Sequence, residues 1–246
     1  MSAILKYKIW VFTFVGLLVL ASAVAIAMSE TDTDQKTYSW RYKITVNVET
    51  PEGIKTGSAV REVTNRDNTI SGEKIPEAGA RISRIKGEAV VVDLGESGVV
   101  FALIEHGSYG ELYSAFGIQN ASNTTEGFDR LTIGAKAPLP EENWPMFVTF
   151  ADMDDPKSVA LVRGWKFNPE TQKQDPVRRF SEQFGDGVNV EDVTIEIVDE
   201  SVTRGAVNEW LPKSFEEEIT NNWRNLPYEL RSRIHGLTRF KQGEEK

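Results

Sequence analysis

Residues Ile9–Met28 form an unbroken run of twenty uncharged side chains, in which the polar interruptions are Thr13 and Ser22. Backbone in hydrocarbon must satisfy its own hydrogen bonds, so a run of this kind is helical wherever it meets a bilayer. At about 1.5 Å per residue it spans about 30 Å, the thickness of the hydrocarbon core. Lys6 and Lys8 precede the run, whereas Glu30, Asp32 and Asp34 come after it. The positive-inside bias then places residues 1–8 in the cytoplasm, 9–28 as a transmembrane helix in a bacterial inner membrane, and the folded mass in the periplasm. A second reading stays open, because Ala25-Ile26-Ala27 suits cleavage of a signal peptide before Met28. The length of the run, with Trp10 and Phe12 near its start, favours a retained anchor, since a signal h-region runs about 7–15 residues.

Beyond Met28 the chain is globular in composition. Hydrophobic residues make up 40% of the whole sequence and charged ones 26%, which suits one domain with a real core. The net charge is −9, and since Met1–Met28 holds only Lys6 and Lys8, the remainder stands at −11 (26 basic, 37 acidic). A body that acidic repels phosphate, which argues against nucleic acid and anionic lipid headgroups as partners. Cysteine is absent, so disulfides, thiolate metal sites, a cysteine nucleophile and a lipidated cysteine are all excluded.

Ser29–Thr37 is polar and aperiodic and reads as a tether. From Tyr42 the chain alternates, with Tyr42, Ile44, Val46 and Val48 on one face and polar residues between them: a half-buried strand. Thr50-Pro51-Glu52-Gly53 has the residues of a type I turn, which returns Ile54–Thr64 as the partner strand. Asn65–Gly79 is rich in turn formers and reads as a loop. Glu88–Leu94 and Val99–Ile104 are continuous β-branched and apolar runs joined by Gly95-Glu96-Ser97-Gly98, the pattern of a hairpin buried on both faces. Tyr109–Ile118 reads as a helix, Met146–Phe150 and Val159–Val162 as short strands, Pro176–Phe184 as a short helix, and Val188–Val198 as a strand. Residues 38–212 are therefore expected to form an α+β domain, predominantly antiparallel β with short helices, preceded by one N-terminal transmembrane helix.

Residues 213–246 read as a helical extension. Ser214 and Glu217 make a capping box, and Pro227 suits the first turn of a second helix. Phe215, Ile219, Trp223, Leu226, Leu230, Ile234 and Leu237 recur at helical spacing, a stripe expected to dock on the domain.

Several segments resemble an uncharacterised family of membrane-anchored proteobacterial envelope proteins. They are Trp40-Arg41-Tyr42, Val48–Gly53, Gly57–Glu62 and Gly87–Leu94, with Val193–Asp199, Val202-Thr203 and Gly205 further on. The likeness covers the first hundred residues well and the rest loosely, and the segment beyond Pro212 departs from it. It implies an envelope protein and brings no catalytic residues with it.

No motif points to chemistry. His106 and Ser108 lie just after the central hairpin, but neither a G-x-S-x-G elbow nor an S-x-x-K motif accompanies them. His235 sits near the end of the last helical pattern, where a cation complements the helix dipole. Asp152, Asp154 and Asp155 precede Pro156, and an EF-hand loop begun at Asp152 would put Lys157 where glycine is needed, so they read as a solvated turn. A Walker A or G-x-G-x-x-G phosphate loop is absent. No catalytic, cofactor-binding or metal-ligating residue is therefore assigned, and no cofactor is expected. The expected function is a non-catalytic, membrane-anchored domain that makes protein contacts in the periplasm. Two alternatives stand beside it: a small-ligand or carbohydrate-binding domain using Trp144, Trp165 and Tyr109 around a cleft, or a hydrolase around His106 and Ser108.

Overall fold

The structure, a computed structural model, describes residues 36–67, 69–70, 73–74, 81–104, 109–119, 125–168, 170–212, 215 and 240–243. The chain divides into two compact units, one of Met1–Lys36 with Asp67–Arg81, the other of Thr37–Arg66 with Ile82–Lys246. The apolar run Ile9–Met28 lies outside the described residues. Among those described, no helix is long and apolar enough to cross a membrane.

In the larger unit the alternation from Tyr42 becomes strand β1 (Thr37–Thr50), which pairs along its whole length with β2 (Gly53–Asp67). Pro51 and Glu52 form the turn, fastened by the Thr50 hydroxyl donating to the Gly53 carbonyl at 2.7 Å. The loop expected from Asn65 starts later than the turn formers suggest. Asn65 is still in β2, fully buried, and its side-chain amide donates to the Tyr113 hydroxyl at 3.0 Å. Part of the remaining stretch belongs to the smaller unit and forms a miniature hairpin of β3 (Thr69–Ile70) and β4 (Glu73–Lys74).

The other strands are β5 (Arg81–Glu88), β6 (Val90–Asp93), β7 (Val99–Ala102), β8 (Lys136–Pro138), β9 (Phe147–Phe150), β10 (Val159–Asn168), β11 (Lys173–Arg178), β12 (Asn189–Val198) and β13 (Lys241–Gln242). They build a six-stranded sheet in the order β13-β5-β2-β1-β12-β8 and a five-stranded sheet in the order β11-β10-β9-β7-β6. Two short helices, α1 (Tyr109–Ala115) and α2 (Phe180–Phe184), sit in the connections. The domain is thus β-rich and antiparallel with few short helices, as the sequence implies.

The sheets face each other. Tyr42, Ile44, Val46 and Val48 of β1, with Val193, Ile195 and Ile197 of β12, share one buried cluster with Val90, Val92, Val100, Ala102, Phe147 and Val162 of the second sheet. The opposite face of that second sheet is buried too: Val99, Phe101, Leu103, Val148 and Phe150 pack with Val207, Leu211, Phe215 and Phe240 from the C-terminal part. This double burial explains why β7 reads as a continuous apolar run, since neither of its faces meets water. The expectation of a hairpin buried on both faces is corrected for the edge strand β6, where Val91 is half-buried and Asp93 exposed. Gly57 of β2 lets the layers come close, because a Cβ there would lie 2.1 Å from the Val91 carbonyl oxygen.

The described ends of the C-terminal segment give a finding beyond the helical pattern. Phe215 is helical and buried, edge-on to Phe150 at 5.2 Å between ring centroids, whereas Lys241–Gln242 is a strand paired with β5. The other stripe residues, Ile219 to Leu237, lie outside the described set. One expected helix is corrected: Pro176–Arg178 is the end of edge strand β11, and helix begins only at Phe180. Proline is tolerated there because β11 has a neighbour on one side only.

Candidate functional site

Two of the places where the described residues bring arginine and glutamate together stand out, one buried and one open to a ligand. The first is interior. Arg61 lies on the inward phase of β2, between Ala59 and Val63, and is 0% exposed. Burying a guanidinium requires every donor to be met. Arg61 Nη1 donates to Glu111 Oε2 of α1 at 2.8 Å, Nε to the Glu88 carbonyl at 3.0 Å, and Nη2 to the Ala102 carbonyl at 3.3 Å. The Tyr42 hydroxyl also donates to Glu111 Oε2, at 3.2 Å. Burial and the nearby Glu111 carboxylate push the Tyr42 hydroxyl well above its ordinary pKa, although Arg61 opposes them. Burial alone would lower Arg61, but the Glu111 carboxylate and the Tyr42 oxygen together outweigh it and hold the guanidinium charged. Glu88 continues the network, accepting from the backbone N–H of Gly205 at 2.6 Å and of Val207 at 3.1 Å. This knot ties both sheets, α1 and the 205–207 turn to one another.

The second place is an open groove, and strand irregularities build it. On β10 the pairing with β9 slips between Leu161 and Arg163, so Val162 is an extra residue; Gly164 comes next but one, with φ +145. On β12 the pairing with β1 slips at Asn47/Val48, which leaves Glu191 as the extra residue. Bulges of this kind re-aim neighbouring side chains. After the first, Arg163 stands directly across from Arg178 of β11, and Trp165 across from Pro176.

Like charges opposite one another on two strands repel. Glu141 resolves the conflict: its Oε1 lies 3.0 Å from Arg163 Nη2 and 2.9 Å from Arg178 Nη2. The Arg163 guanidinium also lies over the Trp144 ring, 4.7 Å from its centroid, and is 14% exposed. Trp144 is fixed in turn by its indole N–H, which donates to the Leu139 carbonyl at 2.8 Å. Two hollows flank this clamp and share Glu141, Trp144, Arg163 and Arg178. One, about 240 Å³, is bordered by Glu142, Trp165 and Pro176; the other, about 390 Å³, by Glu182, Asn189 and Glu191. Trp165 is 54% exposed, a large apolar surface held in water at the groove's lip.

Of the three aromatic residues expected around a cleft, Trp144 and Trp165 line the same hollow. Tyr109 opens α1, and its side chain is outside the described set. His106, Ser108 and His235 also lie outside the described residues. Asp152–Asp155 forms a self-satisfied turn: Asp152 Oδ1 accepts from the Asp154 N–H at 3.0 Å, and Asp155 Oδ1 from the Lys157 N–H at 2.9 Å. Among the described residues, no group of three histidine, cysteine, aspartate or glutamate side chains is placed to hold a metal ion.

Sequence reasoning missed the buried knot and the paired arginines. A signal for the knot existed, because Arg61 takes an inward position in an alternating strand. The arginine pair carried none, since it depends on the register of the β10–β11 hairpin. Protein-family models, curated proteins and solved structures contain no match to this chain.

Proposed function

We propose that this chain is a membrane-tethered, non-catalytic domain of a bacterial envelope, of the uncharacterised proteobacterial kind its first hundred residues resemble, and that it meets a protein partner in the periplasm through the Trp165 groove. The observation that carries this reading is Trp165 itself, half in water beside a clamp whose arginines are already spent on Glu141. Aromatic anchors beside a rigid polar frame are what interface hot spots are made of. Arg61 and Glu111, the densest polar cluster, are sealed from any substrate, so their chemistry serves the fold. Placement outside the membrane rests on the apolar run and the charges that flank it.

The test is a photo-cross-linking amino acid placed at 165 in the full-length, membrane-held protein, with Ile54 and Ile133, the other exposed large apolar positions among the described residues, as controls. A discrete protein adduct from position 165 alone is expected. Adducts of equal yield from all three positions, or none from 165, would exclude the groove as the contact surface.

A second reading has its own support. Trp144 and Trp165 in one hollow beside hydrogen-bonding side chains also suit a small ligand or carbohydrate.

A further inference from the structure

We infer that the partner segment which enters the groove is cationic, an extended stretch carrying arginine or lysine that lays one such side chain over Trp165 against Glu142. This rests on the groove being the contact surface, and it names the chemistry of what the groove takes.

The groove carries negative charge left over. Four carboxylates border the two hollows, Glu141, Glu142, Glu182 and Glu191, against two guanidiniums, Arg163 and Arg178. Both guanidiniums are held by the single carboxylate Glu141. An anionic ligand would have to displace a carboxylate that is tethered in place and therefore present at high effective concentration. Glu182 lies 3.7 Å from Arg179, while Glu142 and Glu191 make no ion pair among the described residues. Both are exposed, one in each hollow.

The smaller hollow thus offers a cation two things at once: an exposed indole and a carboxylate outside any ion pair of the described residues. A guanidinium or ammonium over an aromatic face gains from the ring's quadrupole, and the larger hollow repeats the negative charge at Glu191 for a second basic group. The clamp between them supplies shape, because Arg163 is pinned between Trp144 and Glu141. The clamp's two guanidiniums against one carboxylate leave a single positive charge, which the exposed Glu142 and Glu191 outnumber. The net −11 of the chain beyond Met28 adds long-range steering for a basic partner.

The experiment is calorimetric titration of the full-length protein in detergent with three probes: acetyl-Arg-Gly-Arg-Gly-Arg-amide, its glutamate counterpart, and the neutral sugar hexa-N-acetylchitohexaose. The arginine peptide is expected to bind saturably, and more weakly as salt rises from about 0.02 to 0.3 M. Trp165→Ala is expected to weaken it about fivefold, and Glu142→Gln about threefold. Ile133→Ala, an exposed apolar change elsewhere, should leave it unchanged.

Equal affinity in wild type, Trp165→Ala and Glu142→Gln would mean diffuse attraction to an acidic surface and would overturn the inference. Binding of hexa-N-acetylchitohexaose that is lost in Trp165→Ala, without binding of the arginine peptide, would overturn it in favour of a carbohydrate. If no probe shows Trp165-dependent binding, the cationic segment falls. The cross-link from position 165 then decides whether the protein-contact groove falls with it.

Discussion

Arg61–Glu111 and Arg163–Glu141 are the same pair of functional groups at nearly the same separation, 2.8 and 3.0 Å, yet they occupy opposite environments. In the interior, each guanidinium nitrogen of Arg61 has a partner and the pair is closed to solvent. In the groove, Glu141 is about half exposed and Arg178 more so. Environment, and not geometry, decides where the free energy lies. A buried charge with its partner removed is left in a medium that cannot solvate it. A surface pair is largely offset by water and salt. The interior knot therefore bears on whether the domain stands, and the groove clamp bears on what its surface presents.

The largest effect should come from breaking the knot. In a form beginning at Lys36, Glu111→Ala is expected to lower the free energy of urea unfolding by about 3–5 kcal/mol, because Arg61 is left charged and unpaired. Replacing both partners by apolar residues, Arg61→Met with Glu111→Leu, should recover much of that loss. A double variant no better than the single one would mean that the cost is lost packing and not the orphaned charge.

Next in size is the close approach that keeps the interior dry. Gly57→Ala would push a methyl group into the Val91 carbonyl, a backbone group that cannot swing aside, so the layers must part. A loss of about 2–3 kcal/mol is expected in the same assay. An unchanged unfolding midpoint would show that β2 and β6 are not in that contact in solution.

Tyr42 probes the interior site through pH. Its folded pKa is raised, so as pH climbs past about 10 the unfolded chain releases this proton while the folded chain retains it. Its contribution is thus fully present below pH about 10 and is lost above it. Tyr42→Phe should cost about 1.5 kcal/mol at neutral pH, for the hydrogen bond to a carboxylate. The gap between variant and wild type should narrow in alkali, and a gap that widens above pH about 10 would contradict the buried geometry.

The strands were legible in the sequence wherever one physical rule acted alone. Strict alternation marked β1, and the turn at Thr50–Gly53 returned β2 beside it. Continuous β-branched and apolar runs marked β6 and β7, of which only β7 is buried on both faces. Legibility failed where tertiary context chose between local options. Pro176 suits the first turn of a helix as well as an edge strand, and only the missing neighbour of β11 decides between them. Asn65 looks like a turn former until Tyr113 supplies its buried partner. Lys241–Gln242 is too short to show a period and is a strand because β5 offers it an edge. In the groove, Trp144 and Trp165 could be singled out as aromatic candidates. That Arg163 should face Arg178 follows from the register of the β10–β11 hairpin, in which Asn168 pairs with Lys173, and no local pattern records that register.

The sharpest single test is urea unfolding of Glu141→Ala beside Glu111→Ala in the same buffer. Glu141 holds two arginines and Glu111 one, so a count of ion pairs would rank the groove residue as the more important. The difference in burial predicts the reverse: no more than about 1 kcal/mol lost for Glu141→Ala, most of it cross-strand repulsion between Arg163 and Arg178. A loss for Glu141→Ala equal to that for Glu111→Ala would make the groove clamp a structural element and contradict the division between the two sites.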